Sequence, residues 1–183
     1  MKKIFYFLII LSIGCSSKKE RIEVKIMECI NNTKDENGIK IKESLELYEN
    51  LLIKENILKN KSANSYRKLL VNFSKEKNIK IKINENDSLH LKIYKNRYKV
   101  SNDVIFQKIF KCYMPLEKDF LKYNQIKINE LKVVFLQLSK SNFSQDIEMA
   151  KRSLKIITEE DFELEFYKAI LLNALIDYNA PPL

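Results

Sequence analysis

The sequence predicts an α+β fold that is mainly helical, and two observations support this prediction. Apolar residues recur at intervals of three and four along most of the chain, and two short segments alternate strictly between apolar and polar residues. The first pattern is typical of amphipathic helices and the second of strands. We therefore predict a helical hairpin, a small antiparallel β-hairpin and a C-terminal helical bundle within a single domain over residues 22–183.

The N-terminal part of this domain contains one predicted strand and two predicted helices. Three apolar residues alternate with charged ones and predict a strand at a sheet edge: Ile22, Val24 and Ile26. Residues 39–58 have helical spacing, with an apolar face made of Ile41, Leu45, Tyr48, Leu51 and Leu52. Ser62 is positioned to cap a second helix to about Lys77, whose face is Tyr66, Leu69, Leu70 and Phe73. The short connection predicts an antiparallel helical hairpin.

The β-hairpin is predicted by the two alternating segments, residues 79–83 and 89–94. Apolar residues, mostly β-branched, occupy one face of each segment, and lysines occupy most positions of the other. The five residues between them are polar, as expected for a hairpin connection with one solvated face.

The C-terminal half is predicted to be helical. Ser101 is expected to cap a helix that ends at Pro115, and residues 129–140 carry an apolar stripe of Leu131, Val134, Phe135 and Leu138. Ser144 is expected to cap the next helix, with Ile147, Ala150, Leu154 and Ile157 inward. Thr158 and Asp161 form a loose capping box before a last helix at residues 159–178, whose segment 166–176 is apolar almost all round. A strand at residues 162–166 is the alternative.

The N-terminus carries a charged start, Met1-Lys2-Lys3, an apolar run from Ile4 to Leu11, and then Ser-Ile-Gly-Cys-Ser-Ser ending at Ser17. This segment resembles a bacterial lipoprotein signal, although Ser12 stands where the family prefers leucine. The 11 residues from Ile4 to Gly14 are fewer than the roughly 20 that a membrane span needs.

The resemblance implies a signal peptide at residues 1–14 that is removed before Cys15. Cys15 would then receive lipid on its sulfur and a further acyl chain, such as palmitate, on its amine, which satisfies the need for more than one chain in stable anchoring. Residues 15–21 would form the lipid-anchored tether. The alternative is an ordinary cleaved signal followed by a cysteine that is not lipidated.

Charge is distributed unevenly along the chain. Residues 15–143 have a net charge of +11, and residues 144–183 have a net charge of −4. Only 4 of the 33 basic residues are arginine and the lysines are spread throughout, so we expect no nucleic-acid partner. The two halves are expected to complement each other within the fold, or an acidic face is expected to bind a basic partner through Glu159, Glu160, Asp161, Glu163 and Glu165.

The sequence contains few groups suited to chemistry. The two glycines cannot build a phosphate-binding loop, and His90 is the sole histidine. A segment at residues 33–44 resembles a calcium loop around Gly38 but has Ser44 where the bidentate glutamate is required. We therefore predict no enzymatic activity, no metal site and no cofactor.

Two cysteines remain after Cys15, and they admit two interpretations. Cys29 and Cys112 are expected to pair if the protein matures in an oxidising compartment, or to lie as separate buried thiols.

Residues 79–113 also resemble part of the periplasmic half of the ExbD/TolR proteins, through the strand, polar turn, strand, Asn96, Val100-Ser101 and the apolar helix that follows. This resemblance implies a periplasmic accessory domain and transfers no functional residue. The chain lacks the transmembrane helix and proton-carrying aspartate of those proteins.

Together these features predict a binding or accessory protein of the bacterial envelope. We expect it to be held by lipid at the outer membrane, facing the periplasm, and to have a protein partner there. An immunity-type inhibitor that blocks a toxin through the acidic face is the alternative function.

Overall fold

Helices make up most of the part of the chain that the computed structural model describes, which comprises residues 20–32, 41–81, 111–118, 123–124, 126–138 and 145–179. The α-helices are α1 (Ile22–Asn31), α2 (Ile41–Lys54), α3 (Ala63–Ser74), α4 (Ile126–Leu138), α5 (Gln145–Ile156) and α6 (Glu165–Tyr178). A short 3-10 helix, Glu160–Glu163, precedes α6, and residues 111–117 are also helical. The prediction of a mainly helical chain is therefore confirmed.

The strands within the described residues are two residues long. β1 (Glu20–Arg21) pairs in parallel with β2 (Tyr123–Asn124), so that Glu20 lies opposite Tyr123 and Arg21 opposite Asn124. Since α1 follows β1 directly and α4 begins two residues after β2, the parallel pairing places the starts of these two helices at the same end of the fold.

The predicted strand at residues 22–26 is wrong, because this segment is the start of α1. The positions of Ile22 and Ile26 fit both the period of a strand and the turn of a helix. Met27 and Ile30 distinguish the two, because they extend a buried helical face. Val24, the middle residue of the supposed strand face, is partly exposed on the other side.

Helix α3 agrees with the prediction in detail. The Ser62 side chain accepts a hydrogen bond from the Ser65 backbone N–H at 3.3 Å, which caps the helix. All four predicted face residues are buried: Tyr66, Leu69, Leu70 and Phe73. The helix ends at Ser74, three residues before the predicted end, and a turn with positive φ at Glu76 and Asn78 follows.

The predicted end of a helix at Pro115 is wrong, because the helical segment continues to residue 117. Proline removes one N–H donor and its ring crowds the carbonyl four residues earlier, but here the apolar face of the segment continues past it. Cys112 and Tyr113 are buried, and Leu116 packs against the same core.

The last helix is interrupted near its start. Thr158 and Asp161 do form half of a capping box, in which the Asp161 carboxylate accepts hydrogen bonds from the Thr158 backbone N–H and hydroxyl. The turn that follows is the 3-10 helix, Leu164 is extended, and α6 begins only at Glu165. The alternative strand at residues 162–166 is therefore wrong as well.

Helix α6 lies at the centre of the described core. It contacts α1, α2, α3 and the 3-10 helix, while α5 packs between α3 and α4. Its buried residues come from every side of the helix, as the apolar run predicted: Phe166, Tyr167, Leu171, Leu172, Ala174, Leu175 and Ile176. No helix among the described residues is both long enough and apolar enough to cross a membrane.

A neutral polar group, here called the amide cluster, fixes the C-terminal end of α6. It consists of Asn179 with Tyr48, Leu175, Ile79 and Ile81. The Asn179 amide nitrogen donates to the carbonyls of Leu175 (3.0 Å) and Ile79 (3.1 Å), and its amide oxygen accepts from the Ile81 N–H at 3.0 Å. These bonds attach the segment after α3 to α6 and α2.

Several predictions fall outside the described residues. They are the signal and Cys15, the calcium-like segment up to residue 40, nearly all of the β-hairpin with His90, and the caps at Ser101 and Ser144. The three described residues of the first hairpin segment, 79–81, are not assigned to a strand.

Candidate functional site

The principal polar site in the described part of the chain is a buried group of charges, here called the ionic junction. It consists of Arg21, Glu23, Lys127, Thr158, Asp161 and Tyr167. Five elements supply its charged and phenolic side chains, and four of them are β1 with Arg21, α1 with Glu23, α4 with Lys127 and α6 with Tyr167. Asp161 comes from the 3-10 helix, so the junction lies where these elements meet.

The two carboxylates of the junction share one guanidinium group. Arg21 Nη2 lies 2.8 Å from Glu23 Oε1 and 3.3 Å from Asp161 Oδ1. Lys127 Nζ lies 2.5 Å from Asp161 Oδ2, and the Tyr167 hydroxyl donates to Glu23 Oε1 at 2.7 Å. Every oxygen of both carboxylates therefore accepts at least one hydrogen bond from the protein.

The burial of the junction is asymmetric. Glu23 and Asp161 are each only 2% exposed, whereas the Arg21 and Lys127 side chains are 44% and 36% exposed. The anions thus lie inside the fold while the cations reach in from the surface along their aliphatic stems. The two positive and two negative charges balance, which limits the cost of burying the carboxylates.

The ionisation of both carboxylates follows from these contacts. Burial alone raises the pKa of Glu23, but hydrogen bonds from Arg21 and Tyr167 outweigh it and hold the pKa below its ordinary value. Burial acts in the same way on Asp161, and the donors Lys127 and Thr158 lower its pKa overall. Burial and the adjacent Glu23 carboxylate raise the pKa of Tyr167. Both acids are therefore anions at neutral pH, each held by donors inside the fold.

A third buried carboxylate, Glu49, joins α2 to α3. It accepts a hydrogen bond from the Tyr66 hydroxyl at 2.5 Å and pairs with Lys61 Nζ at 2.5 Å. Lys168 Nζ lies over the Tyr66 ring, 5.3 Å from its centre, which adds a cation–π contact. Glu49 thus has the same arrangement as the junction, with a buried anion and an exposed cation.

The structure divides the predicted acidic face. Glu159, Glu160, Glu163 and Glu165 are exposed, whereas Asp161 is buried in the ionic junction. Including Asp161 in a binding face was therefore wrong. The 3-10 turn directs it inward, where Arg21, Lys127 and Thr158 engage its carboxylate.

Two of the exposed acids have contacts within the fold. Glu159 accepts a hydrogen bond from the Asn64 side chain at 2.8 Å. Glu165 accepts hydrogen bonds from Lys42 and Asn31, both at 3.4 Å. The contact between Lys42 and Glu165 agrees with intramolecular complementarity between the basic and acidic halves, whereas Glu159 is held by a neutral amide.

Cys29 and Cys112 are joined in the structure. Cys29 in α1 and Cys112 in the helical segment 111–117 form a disulfide with a Cα–Cα distance of 5.8 Å across 83 residues of sequence. The bond attaches the segment 111–117 to α1, the helix that carries Glu23.

The junction residues outside the acidic face were missed at the sequence level. The available signal was Glu23, which lies three, four and seven residues before Ile26, Met27 and Ile30 and so shares their helical face. A charged residue inside an apolar stripe indicates a buried partner. The strand interpretation of residues 22–26 concealed this signal, because it placed Glu23 on the solvated face.

The described residues contain no group of three or more histidine, cysteine, aspartate or glutamate side chains arranged to hold a metal ion. Comparisons with protein-family models, curated proteins and solved structures found no match to this chain.

Proposed function

We propose that this chain is a lipid-anchored lipoprotein of the bacterial cell envelope and acts there as a binding or accessory protein. The observation that carries the proposal is the disulfide between Cys29 and Cys112. Disulfides that stabilise folded domains persist in oxidising compartments and are rare in the cytosol. Export through the lipoprotein-like signal at residues 1–14 would deliver the domain to such a compartment, so two separate features of the chain point to the same location.

The proposal places the mature protein at the outer membrane, facing the periplasm. Cys15 would carry the lipid, residues 15–21 would form the tether, and residues 22–183 would form one domain. A protein partner is favoured over chemistry because the buried carboxylates are engaged inside the fold and so serve to hold its helices in place.

The proposed architecture of the domain is the full α+β arrangement. Helices α2 and α3 would form the antiparallel hairpin, residues 79–94 the β-hairpin, and the helices from residue 126 onward the C-terminal bundle. The contact between Tyr66 and Glu49 supports the hairpin, and the packing of α5 against α4 supports the bundle.

Mass spectrometry of the membrane-extracted protein tests the proposal directly. We expect an acylated N-terminal peptide that begins at Cys15, together with a disulfide-linked peptide pair containing Cys29 and Cys112. The Cys15→Ala variant is the control and should lose the acylated peptide while retaining the disulfide pair.

The two readouts can fail separately. An unlipidated mature protein would contradict the anchor. Free thiols at both Cys29 and Cys112 would remove the evidence that the protein matures in an oxidising compartment. If the anchor is present, crosslinking in intact cells followed by purification from the membrane should recover a stoichiometric partner, and recovery of no partner would contradict the accessory role.

An immunity-type inhibitor is the second candidate, and the exposed carboxylates near the 3-10 helix favour it. Its test is rescue of cells from the toxin encoded beside this gene. Replacing Glu159 and Glu160 by lysine should abolish rescue, while the matched replacement of the exposed Glu55 and Glu130 should preserve it. Asp161 must stay unchanged, because its loss would disturb the ionic junction. Equal rescue by both double variants would contradict binding through the acidic face.

A further inference from the structure

Two exposed apolar side chains lie near the point where the tether enters the fold. Among the described residues, Ile126 is 69% exposed and Val24 is 38% exposed. Val24 lies three residues after Arg21, and Ile126 lies two residues after Asn124. Since Arg21 and Asn124 are opposite each other in the parallel strand pair, both apolar side chains belong to the end of the fold that carries β1 and β2.

The tether limits the distance between this end and the membrane. Glu20 is the first described residue and is five residues after Cys15. A fully extended chain of five residues spans at most roughly 18 Å. If Cys15 is lipidated, Glu20 and the β1–β2 end therefore lie within roughly 18 Å of the bilayer.

The charges near this end are compatible with a membrane surface. Lys18 and Lys19 lie in the tether itself, and such residues are attracted to anionic headgroups. The nearby carboxylates are engaged by cations of the fold, since Glu20 pairs with Lys25 at 3.1 Å and Asp161 pairs with Lys127.

We propose that Val24 and Ile126 form a membrane-contacting surface that holds the lipid-anchored domain in one orientation, with the β1–β2 end against the phospholipid. The proposal rests on the lipid anchor of the proposed function and extends it to the orientation of the domain. The occupant is the bilayer, because the short tether brings this end to the membrane and apolar side chains at such a boundary insert among the headgroups and acyl chains.

The chain contains no tryptophan, so single-tryptophan variants report on one position each. The informative variants are Ile126→Trp and Val24→Trp, and the distal control is Lys80→Trp. Lys80 is exposed and lies between two residues that bond to Asn179. Asn179 lies twelve residues after Tyr167, which is roughly 18 Å of helix rise, and Tyr167 bonds to Glu23 of the ionic junction. Lys80 is therefore at the end of α6 away from the junction.

Each variant is purified as the acylated protein, its lipid confirmed by mass spectrometry, and reconstituted into vesicles of phosphatidylethanolamine and phosphatidylglycerol. Tryptophan emission and its quenching by brominated acyl chains are then measured. We expect Ile126→Trp and Val24→Trp to emit at shorter wavelength and to be quenched several-fold more strongly than Lys80→Trp. Circular dichroism of each variant confirms that its helical content matches that of the wild type.

Three outcomes would overturn the proposal. Equal emission and quenching at all three positions on vesicles that carry confirmed acylated protein would show that the domain has no preferred orientation, and would leave the anchor itself intact. A short-wavelength emission of Ile126→Trp in the soluble Cys15→Ala background without vesicles would show that protein covers this surface. An unlipidated mature protein would overturn both this inference and the proposed function.

Discussion

The ionic junction and the amide cluster both join distant parts of the chain, but they do so with different chemistry. The junction holds two buried carboxylates against cations whose side chains reach solvent. The amide cluster is neutral, and Asn179 satisfies backbone groups at both Ile79 and Ile81. One end of this fold therefore depends on ionisation, while the other depends on hydrogen bonds that pH and salt leave unchanged.

The position of each group explains its chemistry. The cations of the junction remain in contact with water. The two buried carboxylates therefore each keep a positive partner, and no charge is buried without one. The amide cluster must pair the Ile81 N–H, which is buried, and a neutral amide does this at lower desolvation cost than an ion.

The largest effect is expected at the amide cluster. Asn179→Leu keeps the branched shape of the side chain but leaves the Ile79 carbonyl and the Ile81 N–H without their Asn179 partner, so the free energy of unfolding should fall by about 3 kcal/mol. Urea unfolding should show the same loss at pH 5 and pH 8, since no group in this cluster titrates between them. The control Asn64→Leu removes an exposed amide that binds Glu159 and should cost much less. A loss at Asn179 that varied strongly with pH would contradict the neutral character of this cluster.

The second effect is expected at the junction. Asp161→Asn removes the carboxylate that Arg21 and Lys127 share, and the loss should be about 2 kcal/mol at pH 7. The folded-state pKa of Asp161 lies below its unfolded value, so the carboxylate contributes stability above the unfolded pKa and loses it as the pH falls through the folded one.

The difference between wild type and Asp161→Asn should therefore shrink below about pH 4, near the ordinary aspartate pKa. Urea unfolding across this range measures it, and the exposed neighbour Glu160→Gln is the control, with almost no change expected. A constant difference between pH 7 and pH 3 would show that Asp161 acts through packing rather than charge.

The smallest effect is expected for Tyr167→Phe, which removes one hydroxyl from the junction. Glu23 retains Arg21 as a partner, so the loss should be about 1 kcal/mol. Because the Tyr167 hydroxyl helps to lower the folded-state pKa of Glu23, the acid-induced loss of the stability that Glu23 contributes should be smaller in the variant and complete at a higher pH. Tyr178→Phe, outside the junction, is the control, and an unchanged acid profile for Tyr167→Phe would contradict the assigned role of the hydroxyl.

Local periodicity predicted the helices well where one face is buried continuously. In α3, the cap at Ser62 and the face from Tyr66 to Phe73 depend only on residues that are close in sequence, so both could be predicted from the sequence. The segment from Ile22 to Ile26 was mispredicted because a stretch of five residues fits two periods, and only the wider helical face distinguishes them.

The ionic junction was beyond prediction as a group, although Glu23 carried a local signal. Its members are separated by up to 146 residues, from Arg21 to Tyr167, and no local rule relates them. The inward turn of Asp161 depends on the 3-10 helix and on the cations that meet it, so the sequence placed this residue among its exposed acidic neighbours.

The mainly helical character of this protein and the buried faces of its helices follow from short-range patterns of apolar, polar and charged residues, and the same kind of pattern underlies the resemblance of its N-terminus to a lipoprotein signal. Long-range packing, in contrast, sets the pairing of Cys29 with Cys112, the burial of Asp161 beside the exposed Glu160, and the position of Val24 and Ile126 at one end of the fold. The physical reason is that pairing, burial and orientation are properties of distant segments in contact, and contact is set by the packing of the whole domain.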